Sequence, residues 1–154
     1  MIYLVKLADI ICSIVDKINE IMPESTHELG EYTGTKDTFC YYLVFAKSRR
    51  ITKHIKDVIV DIQIIYHAND INYIGQTSLK ERLDVQDKLE SFLSQFILPV
   101  GNRVLKFDYD TGEADGELMI NMNFRFFDDL VDLTYDEEQT REMIQNIKIK
   151  NEVI

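Results

Sequence analysis

Two segments of the chain have an apolar residue at every second position, and this pattern constrains the fold more than any other feature. In residues 58–66 and again in residues 118–126, every second side chain is apolar. Because the side chains of a β-strand point alternately to opposite faces, each segment predicts a strand with one apolar face. The apolar positions are Val58, Val60, Ile62, Ile64 and Tyr66 in the first segment, and Leu118, Ile120, Met122, Phe124 and Phe126 in the second.

Two further strands are predicted beside these. Residues 39–46 are rich in aromatic and branched side chains, and apolar residues on both faces predict burial on both sides. Residues 104–109 predict the other strand, followed by a turn over residues 111–116 that contains two glycines. Residues 24–37 have no clear period and predict a loop that could include a short extended piece.

Two amphipathic helices are predicted. The first covers residues 4–22, where apolar residues recur at three- and four-residue intervals, and Pro23 ends it. The second begins at Ser78, since Ser78 and Glu81 have capping-box spacing, and continues to about Ile97. Its expected apolar stripe consists of Leu79, Leu83, Gln86, Leu89, Leu93 and Phe96.

The resulting order, α-β-β-α-β-β, predicts a mixed α/β (α+β) fold. We expect a mainly antiparallel four-stranded sheet packed by two helices. A chain of 154 residues suits one domain, residues 1–130, followed by a C-terminal extension, residues 131–154. Thr134 and Glu137 repeat the capping-box spacing, which predicts a helix over residues 136–149 of the extension.

Charge and hydropathy disfavour several classes of function. The net charge of −10 opposes general binding to nucleic acid and to anionic membranes. The apolar N-terminal segment is interrupted by Asp9 and Asp16, so it does not predict a secretory signal, and no apolar run is long enough to predict a membrane span. Cys12 and Cys40 lack metal-site spacing and are predicted to be small, partly buried hydrophobes in a reducing compartment.

Motifs of catalysis and cofactor binding are not found. The sequence has no nucleophile elbow, P-loop, GxGxxG or HExxH pattern, which favours a protein without enzymatic activity or cofactor. The carboxylates of residues 108–117 suggest a calcium loop, but the EF-hand pattern fails at its fifth, sixth and twelfth places, so a solvated hairpin turn is preferred. If the chain is an enzyme, we expect its site around His54, His67 or these carboxylates.

Charge segregation predicts one candidate interface. Residues 47–57, too long for a tight turn, form a predicted loop between two strands in which basic residues crowd together. This loop either keeps a hairpin tip soluble or contacts an acidic partner such as another copy of the chain, and such a contact between unlike surfaces closes naturally into a ring. The acidic run before the C-terminus is the expected counterpart, with a solvated helix entry as its alternative. The candidate residues are Lys47, Arg49, Arg50, Lys53 and Lys56 on the basic side, and Asp128, Asp129, Asp132, Glu137 and Glu138 on the acidic side.

One motif and the element order also support a family resemblance. The second helix is followed by a strand over residues 103–109 and by a strand that begins with D-G-x-L-x-hydrophobic at residues 115–120. Together with the N-terminal helix and the first hairpin, this arrangement resembles the tail terminator (minor tail) proteins of long-tailed phages and of tail-like particles in Gram-positive bacteria. The resemblance covers about residues 5–127.

The resemblance implies a structural role. Members of this family form a hexameric ring on the head-proximal end of the tail tube, stop its polymerisation and provide the surface that joins tail to head. The implied partners are further copies of the chain, the tail tube protein, and a head–tail connector or sheath protein; no cofactor or catalytic residue is implied. The implied location is the cytoplasm of the bacterial host during assembly and the virion or tail-like particle afterwards. The alternatives are another protein adaptor of the same architecture, expected as a monomer or dimer, and an enzyme.

Overall fold

The computed structural model describes residues 4–34, 37–68 and 77–129, and within them the fold is mixed α+β. Neither helix in this part of the chain is long and apolar enough to cross a membrane. The predicted C-terminal helix lies outside the described residues. The described elements are α1 (Leu7–Ile21), β1 (Thr26–Leu29), β2 (Thr38–Arg50), β3 (Ile55–His67), α2 (Leu79–Leu93), β4 (Ile97–Val100), β5 (Arg103–Ala114) and β6 (Glu117–Asp129).

The sheet has six strands in the order β1-β2-β3-β6-β5-β4. All neighbours are antiparallel except β1, which lies parallel to β2. The expectation of four strands is therefore wrong in number, although the four central strands are those predicted. The two additional strands have only four residues each, and they come from the predicted loop before β2 and from the predicted end of the second helix.

The core lies between one face of this sheet and the two helices. The alternating positions of β3 and β6 all point into it, which confirms the two sets of apolar residues that the sequence predicts. Helix α1 begins three residues later than expected and contributes Ile10, Ile14 and Ile18, each at most 1% exposed. Their spacing of four residues places them on one side of the helix.

Helix α2 starts as predicted and ends early. The Ser78 side chain accepts a hydrogen bond from the Glu81 backbone N–H at 3.2 Å, which satisfies one of the free donors at the helix start. The helix ends at Leu93 because Phe96 adopts a φ of 57°, and this turn leads the chain into β4. The predicted stripe is partly wrong, since Leu79 and Leu83 are exposed. The buried residues of α2 are Val85, Leu89, Phe92 and Leu93.

Both hairpins are tighter than predicted. Strand β2 extends to Arg50 and β3 begins at Ile55, so most of the predicted loop over residues 47–57 is paired strand. The Thr52 hydroxyl accepts the N–H groups of His54 and Ile55, which stabilises the short turn. Between β5 and β6, the turn contains only Asp115 and Gly116, both at positive φ, as a two-residue turn with a primed conformation requires.

Candidate protein–protein interface

Two stretches of the sheet lack a strand on one side within the described residues. Strand β1 lies beside β2 only as far as Tyr41, so residues 42–50, here called the β2 edge, have β3 as their single strand neighbour. Strand β4 pairs with β5 only up to Lys106. Residues 108–114, here called the β5 edge, therefore have β6 as their single strand neighbour. Free backbone groups along such an edge are a template for pairing with another chain.

The five predicted basic residues lie together at one end of the sheet. Lys47, Arg49 and Arg50 lie on the β2 edge, Lys53 lies in the turn, and Lys56 is the second residue of β3. All except the half-buried Lys56 are exposed. In the described part of the chain, none of the five forms an ion pair.

The carboxylates closest in the sheet to these basic residues are already bonded elsewhere. Asp57 lies directly opposite Arg49 in the ladder, yet its carboxylate accepts hydrogen bonds from Arg125 on the next strand, the shorter of them 3.1 Å long. Asp128 lies opposite Lys56 and is bonded to Arg103. Among the residues that the structure describes, the exposed basic side chains at this end of the β2–β3 hairpin therefore have no carboxylate partner.

The acidic counterpart expected from the sequence is not formed as predicted. Asp128 is buried, and its carboxylate accepts hydrogen bonds from Arg103 and from the backbone N–H groups of Val5 and Asp129. Asp128 is therefore an internal anchor and is not available to a partner, whereas Asp129 is exposed. The remaining three acidic candidates, Asp132, Glu137 and Glu138, lie outside the described residues.

Apolar side chains accompany the basic ones on the β2 edge. Leu43, Val44 and Phe45 are 46%, 57% and 42% exposed, so the prediction that β2 is buried on both faces is wrong beyond Tyr41. A bulge between Leu43 and Phe45 shifts the register here. The first part of β2 belongs to the core, where Phe39 and Tyr41 are buried. Contiguous exposed apolar residues beside unpaired backbone are typical of a surface that another protein covers.

Apart from the two open edges, the structure has a concave surface between α1 and β1. Ile11, Val15 and Leu29 line this apolar groove together with His27 and Tyr41. The His27 Nδ1 atom lies 2.8 Å from the Tyr41 hydroxyl, and burial lowers the pKa of His27 while raising that of Tyr41.

The two cysteines have different environments. Cys12 is exposed at the same groove, contrary to the prediction of partial burial. Cys40 is buried, as predicted, and burial raises the pKa of its thiol to about 11. Because the thiolate is the nucleophilic form, Cys40 is suited to packing and not to nucleophilic chemistry.

The structure brings together one pair of residues that the enzyme alternative names. His67 Nδ1 lies 3.8 Å from Glu117 Oε2, and the ring of Tyr32 stacks on His67 with centroids 4.2 Å apart. The same carboxylate accepts hydrogen bonds from the backbone N–H and the hydroxyl of Thr77. Glu117 therefore fastens the segment before α2 to the start of β6, and His54 lies apart from it in the β2–β3 turn. No sequence signal pointed to Thr77 or Tyr32.

Residues 108–117, for which the sequence favours a solvated hairpin turn over a calcium loop, form the paired ends of β5 and β6 with a two-residue turn between them. Asp108 and Asp110 lie along β5, where Asp110 accepts a hydrogen bond from Asn121 at 2.8 Å, and Glu117 points to Thr77. In the part of the chain that the structure describes, no group of three or more His, Cys, Asp or Glu side chains could hold a metal ion.

Searches against protein-family models and against curated proteins find no match to the chain. Function is therefore inferred from the geometry of the edges and from the resemblance in the sequence.

Proposed function

We propose that the chain is a structural assembly protein of the tail-terminator type. In this function, copies of the chain form a ring that caps a tail tube, stops its polymerisation and offers the surface that joins the tail to the head. No enzymatic step and no cofactor is involved. The partners are other copies of the chain, the tube protein, and a connector or sheath protein; assembly takes place in the bacterial cytoplasm and the ring remains in the particle.

The observation that carries the proposal is the composition of the β2 edge. Within a protein of net charge −10, this edge carries Lys47, Arg49 and Arg50, which form no ion pair with any described residue, next to exposed Leu43 and Phe45. Charges alone often protect an edge from unwanted pairing. Apolar residues exposed beside them favour a contact surface instead, and a basic surface on an acidic protein fits an acidic surface of another copy.

The hexameric number and the tube-capping role come from the family resemblance. The α+β architecture agrees with it in the order of the four central strands and two helices. A contact that joins two different surfaces of identical subunits repeats from one subunit to the next. It closes into a ring when the rotations between successive subunits add up to a full turn. This supports a ring-forming protein over a twofold dimer.

The test is the effect of the chain on tube assembly. A tail tube protein is polymerised with and without the chain, and tube lengths and ends are observed by electron microscopy. We expect short tubes with the chain bound at one end. The variant Lys47→Glu/Arg49→Glu/Arg50→Glu should lose this effect, because it removes the positive charge of the edge.

The matched control changes net charge by the same amount at exposed lysines elsewhere: Lys6→Glu/Lys80→Glu/Lys106→Glu. This control should still cap tubes. Tubes that grow to the same length with and without the wild-type chain would contradict the proposed function.

An adaptor that acts as a monomer is the second candidate, and the groove between α1 and β1 is the observation that favours it. Leu29 at its rim is 75% exposed, and the groove wall is apolar. In that case Leu29→Asp would abolish partner binding, whereas the charge reversal on the β2 edge would leave it intact.

A further inference from the structure

The two open edges of the sheet carry opposite charges. The β2 edge presents Lys47, Arg49 and Arg50, while the β5 edge, on the other side of the sheet, presents Asp108 and Asp110. Among the described residues, neither of these aspartates forms an ion pair. The two edges are therefore complementary to each other, and each would repel a copy of itself.

The backbone of each edge has donors and acceptors that face outward. The Ile51 N–H bonds to the Ile55 carbonyl, so Ile51 faces β3, and by alternation Ala46, Ser48 and Arg50 face away from it. On β5, the Phe107 N–H bonds to the Phe96 carbonyl on the side away from β6. By the same alternation, the outward-facing residues of the β5 edge are Tyr109, Thr111 and Glu113.

We infer that the β2 edge of one copy pairs with the β5 edge of the next copy, so that the sheet continues from subunit to subunit. This inference deepens the proposed function and rests on it in one respect, that the chain associates with itself. Strands β2, β3, β6 and β5 alternate in direction, so β2 and β5 are antiparallel to each other. A second copy in the same orientation therefore offers an antiparallel partner.

The outward-facing residues determine the register. Using all three on each edge places Ala46 opposite Glu113, Ser48 opposite Thr111, and Arg50 opposite Tyr109. Arg49 then lies opposite Asp110 on the sheet face away from the helices, and Lys47 lies diagonally to the same carboxylate. Opposite charges at such positions stabilise strand pairing.

The pairing also requires a stagger that favours a closed ring. In the ladder of one subunit, Ser48 pairs with Val58 and Val58 pairs with Phe126, and the β5–β6 register extended by two residues places Leu105 opposite Phe126. Ser48 is therefore level with Leu105 of its own subunit, and Leu105 precedes Thr111 by six residues. Joining Ser48 to Thr111 of the neighbour shifts each copy by about 20 Å along the strands over a width of about 19 Å for four strands. The strands then tilt by about 45°, the tilt at which closed barrels are built.

The decisive experiment uses two charge-reversed full-length variants. Lys47→Glu/Arg49→Glu makes both edges acidic, and Asp108→Lys/Asp110→Lys makes both edges basic. Each variant alone should associate on the order of ten times more weakly than the wild type, because like charges then face each other. Mixed at equal concentrations, the two should assemble again, since every contact in an alternating ring regains opposite charges. Circular dichroism verifies that both variants fold.

A disulfide tests the register. In a Cys12→Ser background, Arg49→Cys mixed with Asp110→Cys should form a covalent dimer under mild oxidation. Arg49→Cys mixed with Asp87→Cys, an exposed position on α2, should not.

Two results overturn the inference. The first is that each charge-reversed variant alone associates as well as the wild type. The second is that the two charge-reversed variants stay unassembled when mixed and that Arg49→Cys mixed with Asp110→Cys gives no covalent dimer. Its failure is distinguishable from failure of the proposed function. Rings that cap tubes regardless of these four charges would contradict the edge pairing alone. Rings that need the charges but leave tube length unchanged would contradict the tail-terminator function alone.

Discussion

Asp128 and Arg103 form a hydrogen-bonded ion pair 2.9 Å long, in which the carboxylate side chain is 1% exposed and the guanidinium side chain is 28% exposed. The pair joins the end of β6 to the start of β5. The second carboxylate oxygen accepts the Val5 N–H at 3.0 Å and so holds the segment that leads into α1. Asp128 thus holds together the end of β6, the start of β5 and the segment before α1. These lie at the same end of the sheet as Arg50 of the β2 edge.

Replacing Asp128 with alanine should lower the free energy of unfolding by about 2–4 kcal/mol, because the partly buried donors of Arg103 and Val5 then lose their buried acceptor. Urea denaturation measures this change. Asp129→Ala, at the exposed neighbouring acid, is the control and should change stability by less than about 0.5 kcal/mol. Equal effects of the two substitutions would show that Asp128 is not the anchor that its contacts indicate.

Stability should fall in mild acid in a way that depends on His27. Burial lowers the pKa of His27 below its ordinary value of 6.5, so the unfolded chain binds a proton on this ring more readily than the folded chain. The stability that His27 contributes is therefore lost progressively as the pH falls below about 6.5 toward the lower folded-state pKa.

The measurement is the difference in urea midpoint between about pH 7.5 and about pH 5.5. This difference should be smaller in His27→Gln than in the wild type. His54→Gln, in the exposed β2–β3 turn, should behave as the wild type does. An unchanged pH dependence in His27→Gln would contradict the assignment.

A side chain at Gly116, in the turn between β5 and β6, should lower the stability of the protein. Its φ of 81° disfavours residues with a Cβ atom, so Gly116→Ala should destabilise the protein by about 1 kcal/mol. The matched control is Gly112→Ala in the adjacent strand, where an added Cβ would meet Met119 at an ordinary 3.5 Å. This control should be neutral or slightly stabilising. Thermal denaturation distinguishes the two, and equal losses would show that the turn has another conformation.

The two thiols should react at very different rates. Cys12 is exposed, whereas Cys40 is buried with its pKa raised to about 11. A chromogenic disulfide reagent should label one thiol rapidly in the folded protein, and Cys12→Ser should remove that fast phase. Rapid labelling of Cys12→Ser would indicate that β2 opens readily.

The central strands could be predicted because their pattern is local. Every second residue from Val58 to Tyr66 and from Leu118 to Phe126 is apolar, and each set faces the core. Strands β1 and β4 have four residues each and depend on partners elsewhere in the chain, so no local period marks them. The end of α2 also depends on residues far along the chain, since Phe96, which has a positive φ, accepts a hydrogen bond at its carbonyl from the Phe107 N–H.

The candidate interface could be predicted only in part. Charge alone selected Lys47, Arg49 and Arg50, but their location on an open edge depends on where β1 stops. Asp128 was assigned to the acidic partner surface by charge, although it lies two residues after Phe126 and so continues the buried alternation. The predicted strand ends at Tyr109, just after Asp108, whereas β5 continues through Asp110 to Ala114 as an edge.

The most direct test of the self-assembly account is the mass of the full-length protein in solution, measured by multi-angle light scattering over a range of concentrations and with tube protein added. The account predicts a particle of six times the 18.1 kDa chain mass for the wild type, and for Lys47→Glu/Arg49→Glu the same particle only at concentrations about ten times higher. A wild-type protein that keeps the mass of one chain at every concentration, and also in the presence of tube protein, would contradict it.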